Sequence, residues 1–132
     1  MFSLYLTKMN INIDNFDISQ LNPKIINLMF YLNNYLENNW KIQKKQNCYV
    51  LKKKDSKIYI DDAFQMPFSA DICEKDKYIF CFIHNSLNNG WSMKKNKDEY
   101  IFIKSHQGKK EIFSNNYIHT FLKENFKLNL IK

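Results

Sequence analysis

Residues 38–51 read NNWKIQKKQNCYVL, and residues 88–102 read NNGWSMKKNKDEYIF. With the tryptophans superposed the offset is a constant 51 residues. Met29, Leu32, Leu36, Asn38, Trp40, Ile42, Lys44, Tyr49 and Leu51 then fall on Phe80, Ile83, Leu87, Asn89, Trp91, Met93, Lys95, Tyr100 and Phe102. Self-similarity of this kind restricts the architecture more than any single element, because both copies must adopt one local structure and bury their apolar faces together. Two copies in 132 residues imply a duplicated unit, at about residues 23–68 and 75–127, inside a single domain over 1–132.

Within each copy the hydrophobic period changes at the tryptophan. Leu28, Met29, Leu32 and Leu36 recur at helical steps, as do Ile79, Phe80, Ile83 and Leu87. Asn22 and Pro23 form a helix start, and Asp76 or Asp71 is expected to start the second helix. Asn38-Asn39 and Asn89-Gly90 tolerate the left-handed conformation that ends a helix. Beyond the tryptophans the pattern alternates: Trp40 and Ile42, or Trp91 and Met93, share one face, while Lys41 and Ser92 point away. Turns at 45–47 and 96–98 lead to second strands at 48–52 and 99–104, and third strands follow at 57–60 and 110–113. Gly108 is placed for a turn residue in the longer hairpin of the second copy.

The second strands are apolar on both faces, Tyr49 and Leu51 opposing Cys48 and Val50, and Tyr100 and Phe102 opposing Ile101 and Ile103. Such strands are usually buried on both sides. They are therefore expected at the centre of the sheet, with the outer face covered by the N-terminal segment, the C-terminal helix or a second molecule. Phe2, Leu4 and Leu6, then Met9, Ile11 and Ile13, read as short strands or arms. Ser114 is placed to cap a last helix with the face Tyr117, Ile118, Phe121, Leu122 and Phe126, whereas Pro67 keeps the equivalent stretch of the first copy short. The predicted fold class is α+β: an internally duplicated helix-strand-strand-strand unit with an antiparallel sheet and a C-terminal helix.

Residues 75–127, with a Gly-Trp ending the first helix, are similar in element order to the double-stranded RNA-binding domain and to the HicA-type toxin that shares its fold. The RNA-binding family opens its second helix with a Lys cluster where this chain has Ser114, Asn115, Asn116 and Tyr117. The toxin carries Gly-Ser-His before its second strand, where Lys97, Asp98 and Glu99 stand here. The resemblance implies a topology and neither activity.

All twenty basic residues are Lys, and Asn, Ile, Phe and Tyr are abundant. In that composition the chain resembles the short Lys- and Asn-rich proteins of giant, mimivirus-like DNA viruses. Cys48, Cys73 and Cys81 are odd in number and lack metal or redox spacing, so they are expected to be reduced, buried thiols of an intracellular protein. Host cytoplasm, viral factory or virion would each suit. The six-residue apolar start is too short for a signal peptide, and no run is long enough to span a membrane.

No His-x3-His, Cys-x2-Cys or Gly-rich phosphate motif occurs, and the adjacent acidic pairs Asp61-Asp62 and Asp98-Glu99 fall at strand ends or turns, where Asp commonly caps backbone groups, so no catalytic residue, metal or cofactor is expected. His84, His106 and His119 read as structural, although Cys81 and His84 share a helix at three-residue spacing. The tryptophans could stack on bases, but they recur inside the core pattern and are expected to be core. Charge is the uneven property. Residues 41–57 carry seven Lys and one Asp, net +6, and residues 92–110 carry six Lys and two acids, net +4, while the remainder is net −3. The candidate nucleic-acid-binding residues are therefore Lys41, Lys44, Lys45, Lys52, Lys53, Lys54, Lys57, Lys94, Lys95, Lys97, Lys104, Lys109 and Lys110, with Tyr49, Tyr59 and Tyr100 nearby. Lys on outer strands also protects sheet edges. Without Arg, bidentate reading of guanine is missing, so any contact with DNA or RNA should tolerate sequence. The alternative partner is protein, as a homodimer or a bound host factor.

Overall fold

Pro23 fixes a helix-compatible φ and lacks an N–H that the first turn would leave unpaired. From it runs α1 (Pro23–Glu37), which buries Leu28, Met29, Leu32 and Leu36 as their spacing predicts. The structure, a computed structural model, describes residues 23–65 and 71–125. Asn22, the N-terminal apolar residues, Pro67 and Phe126 therefore lie outside the described residues. The second helix, α2 (Glu74–Asn88), buries Ile79, Phe80, Ile83 and Leu87 and also Tyr78, Cys81, Phe82 and Ser86. It starts at Glu74 rather than at an aspartate. Cys73 precedes it with no side-chain cap, and Glu74 and Asp76 instead place negative charge in the first turn, where the helix dipole favours it.

Both helices end in the same way. Asn39 (φ 71°) and Gly90 (φ 94°) take the left-handed position. Their N–H groups donate to the carbonyls of Leu36 and Leu87, and the N–H groups of Trp40 and Trp91 donate to Tyr35 and Ser86. That pair of bonds is a Schellman motif, and it satisfies the last helical carbonyls as the chain turns into the sheet. The motif also explains why the tryptophans differ. Trp40 stands edge-on against Tyr35, ring centroids 5.5 Å apart, and stays half-buried. At the matching position Ser86 is small, and Trp91 sinks to 1% exposure. The equivalence expected of the two rings therefore holds for backbone position and not for burial.

The strands are β1 (Lys41–Lys45), β2 (Cys48–Lys53), β3 (Ser56–Asp61), β4 (Ser92–Asn96), β5 (Glu99–Lys104) and β6 (Lys109–Ser114). They form one antiparallel sheet in the order β3-β2-β1-β4-β5-β6. Gln46 (φ 50°) and Lys97 (φ 58°) occupy matching sites in the first hairpin turns. A 3-10 turn at Ser105–Gln107, closed by Gly108 (φ 65°), lengthens the last hairpin. The first strands of the two units, not the doubly apolar second ones, form the centre. Strand neighbours are chosen by long-range pairing, which periodicity within one strand does not report. The seam is formed by Ile42 opposite Met93, and these are equivalent residues under the 51-residue offset.

The helices cover one face, where Ile42, Tyr49, Leu51, Met93, Tyr100, Phe102 and Phe113 meet them in a continuous core. The last helix, α3 (Asn115–Asn125), belongs to this layer and packs on α2 and β6. Ser114 caps it as expected, its Oγ accepting the Tyr117 N–H at 3.0 Å. It therefore does not cover the opposite face. Of the cysteines only Cys81 is buried; Cys48 is half-buried, Cys73 is exposed, and none forms a disulfide. No helix among the described residues is long and apolar enough to cross a membrane.

Candidate nucleic-acid interface

The strand pairing sorts the lysines by face, since residues directly opposite on antiparallel strands point to the same side. Lys44 and Lys95, equivalent by the offset, point to the helix side. Lys44 Nζ donates to Asn88 Oδ1 at 2.9 Å and pairs with Asp62 at 3.5 Å. Lys95 pairs with Glu37. Asn88 and Glu37 are themselves equivalent, so each unit's hairpin grips the other unit's helix in a reciprocal exchange. Each ammonium also lies over a ring of its own hairpin, Lys44 over Tyr49 at 5.6 Å and Lys95 over Tyr100 at 5.1 Å. Tyr100 adds a cross-unit bond by donating to Asn33 Oδ1 at 3.1 Å. These two lysines are engaged inside the fold, and Tyr49 and Tyr100 are core residues.

Burial raises both phenols: Tyr49 to about 12, with the Asp62 carboxylate adding to the effect, and Tyr100 further upward, with Glu37 and Asp76 adding. At the position matching Asn33, His84 is lowered to about 4, first by burial and second by the Lys44 charge. The Asn88 amide donates to its Nε2 at 3.1 Å, which fits an unprotonated ring nitrogen.

The outer face carries the accessible charge. Lys41 pairs with Lys52, and Lys52 with Lys57. The Ile42–Met93 register sets Lys41 opposite Lys94, and beyond it Lys94 pairs with Ile101 and Ile101 with Ile112. A single row thus crosses the sheet as Lys57, Lys52, Lys41, Lys94, Ile101, Ile112. Its four lysines occupy adjacent strands, spanning about 14 Å at the usual strand spacing. Among the described residues no carboxylate pairs with any of the four. Like charges placed opposite each other across strands are destabilising. The next row is Tyr59, Val50, Gln43, Ser92, Ile103, Lys110, in which Val50 and Ser92 are buried.

The remaining candidates are dispersed. Lys45 is exposed at the far end of β1, Lys53 is half-buried at the end of β2, and Lys54 (φ 52°) is exposed in the turn that follows. Lys97 is exposed at the β4–β5 tip. Lys104 lies 5.2 Å above the Trp91 ring and is paired with exposed Lys109. Because β1 and β4 are antiparallel, the β1–β2 and β4–β5 tips project from opposite ends of the sheet; Lys97 lies at the end where Lys53 and Lys54 lead into β3, and Lys45 at the end of Lys104 and Lys109. The residues that sequence reasoning missed are the helix partners Glu37, Asn33 and Asn88, which carry no motif, and Ile112, 49% exposed at the row's end. A cleft of about 230 Å³ beside α1, lined by Lys24, Ile25, Leu28 and residues 62–65, is smaller than most small-molecule pockets. No group of three His, Cys, Asp or Glu among the described residues could hold a metal ion.

No family model, curated protein or solved structure matches this chain. The functional reading rests on its own residues.

Proposed function

We propose that the protein is a non-catalytic nucleic-acid-binding accessory factor that holds a phosphate backbone on the outer face of its sheet without reading sequence. The observation that carries this is the row Lys57, Lys52, Lys41, Lys94, four like charges on four adjacent strands with no carboxylate paired to them among the described residues. Such a row is held against its own repulsion; phosphates neutralise it, and the counterions they release make the binding salt-dependent. Its composition supports a virus-like replication system as the setting. The reciprocal Lys44–Asn88 and Lys95–Glu37 contacts and the self-matched seam support descent of both halves from one duplicated unit, since an isologous pairing has this exchange of partners.

Fluorescence anisotropy with a labelled mixed-sequence oligonucleotide tests the reading. Affinity should fall steeply as salt rises from about 50 to 200 mM. The variant K41Q/K52Q/K57Q/K94Q should flatten the plot of log K against log salt by about three, given roughly 0.7 per phosphate contact on a single strand. Absence of binding at low salt, or an unchanged slope in the variant, would exclude the row as the site. A protein partner, as a second copy or a host factor, is the alternative. The exposed Ile112 beside half-buried Ile101 favours it, and sedimentation of the native chain against Ile112→Lys tests it.

A further inference from the structure

The outer face does not share the symmetry of the core. Under the equivalence of the two units the lysine row maps onto its neighbour: Lys52 becomes Ile103, Lys41 becomes Ser92, Lys94 becomes Gln43, and only Lys57 keeps its charge, as Lys110. Tyr59 and Ile112 exchange likewise. Charge and aromatic surface have therefore been gathered on one side of the sheet. Tyr59 is 62% exposed, and it follows Lys57 by two residues on the same face of β3. Lys57 Nζ lies 5.7 Å from its ring centroid, which holds the ring beside the row.

Resting on the nucleic-acid reading above, we infer that the ligand is a single strand, with phosphates along Lys57, Lys52, Lys41 and Lys94 and an unpaired base stacked on Tyr59. Three features converge on this. A single straight run of four adjacent charges suits one strand and not the two backbones of a duplex. The broad face of a six-stranded sheet enters neither groove of B-DNA, the wider of which admits a helix or a two-stranded ribbon. An exposed aromatic at the charged end offers stacking, which only an unpaired base can use and which every base can supply. Val50 and Ser92 in the neighbouring row are buried, whereas Lys57, Lys52 and Lys94 are exposed and Lys41 half-exposed, so contacts are offered by the lysine row with Tyr59 at its end.

The test compares labelled single-stranded DNA, single-stranded RNA and duplex DNA of one mixed sequence, against the native chain, Y59A and Y59F. The native chain should bind either single strand more tightly than the duplex. Y59A should lose about five-fold or more on single strands, matching one base stack. Y59F should retain that affinity, and duplex binding should be the same in all three proteins. Tyr59 is too exposed for its truncation to unfold the sheet. If the quadruple lysine variant loses binding while Y59A matches the native chain, or if Y59A weakens duplex and single strand alike, the phosphate contact stands and the single-strand inference is overturned. If no oligonucleotide binds at low salt, both are overturned.

Discussion

Trp91→Ala lowers the stability of the protein by about 3–5 kcal/mol, the usual cost of deleting a fully enclosed large aromatic. Trp40→Ala, although it removes the equivalent residue, lowers it by only about 1–2 kcal/mol, because the ring is only partly enclosed and its removal leaves a site that water can reach. The contrast arises one turn back on each helix, where Ser86 makes room and Tyr35 does not. Against a total of roughly 5–15 kcal/mol the first change unfolds an appreciable population and the second does not. Thermal melts of both variants give the difference directly. In Trp40→Ala the remaining Trp91 emission should be blue-shifted and lost only at the melt. Equal losses in the two variants would show that Trp40 is as enclosed as Trp91.

Acid weakens the fold through His84. Its folded value of about 4 lies below the ordinary 6.5, so the unfolded chain binds the proton more readily. The stability from the neutral ring is complete above about pH 6.5 and is lost as pH falls toward 4. By pH 5 the loss is about 1 kcal/mol, roughly half of the full linkage value because solvent partly reaches the half-buried ring. Denaturant unfolding at pH 7 and pH 5 measures it, and His84→Asn, which installs the residue found at the matching position 33, should remove most of the difference. A pH dependence unchanged in that variant would assign it to the carboxylates instead.

Much of this architecture was legible in the chain. The helices, their left-handed ends at Asn39 and Gly90, and the hairpin turns follow from residues within a few positions of one another, and the repeat checks each assignment against the other copy. The strand order was not. Val50 and its neighbours made β2 read as central, but the centre is decided by Ile42 meeting Met93 across 51 residues, and no local pattern encodes that choice. The charge excess was legible as an amount and not as a surface. Alternation assigns Lys41, Lys52 and Lys57 to one face within their own hairpins, yet only the seam brings Lys94 beside them. The withdrawal of Lys44 and Lys95 depended on Asn88 and Glu37, ordinary helix-surface residues in sequence.

The single seam also governs how the chain reaches its fold. Among the described residues, four of the five strand pairings join neighbours in sequence through turns of two to four residues, and only β1 with β4 closes a long loop. Hairpins of this size form in about 1–10 μs, and their closure entropy is small. Each half can therefore assemble early from local contacts, leaving the meeting of Ile42 with Met93 as the slow event. In stopped-flow mixing, Met93→Ala should chiefly slow refolding, whereas Lys95→Ala, whose contact with Glu37 closes after the seam, should chiefly hasten unfolding. The reciprocal lysines then act as late latches, closing only when one half finds the other.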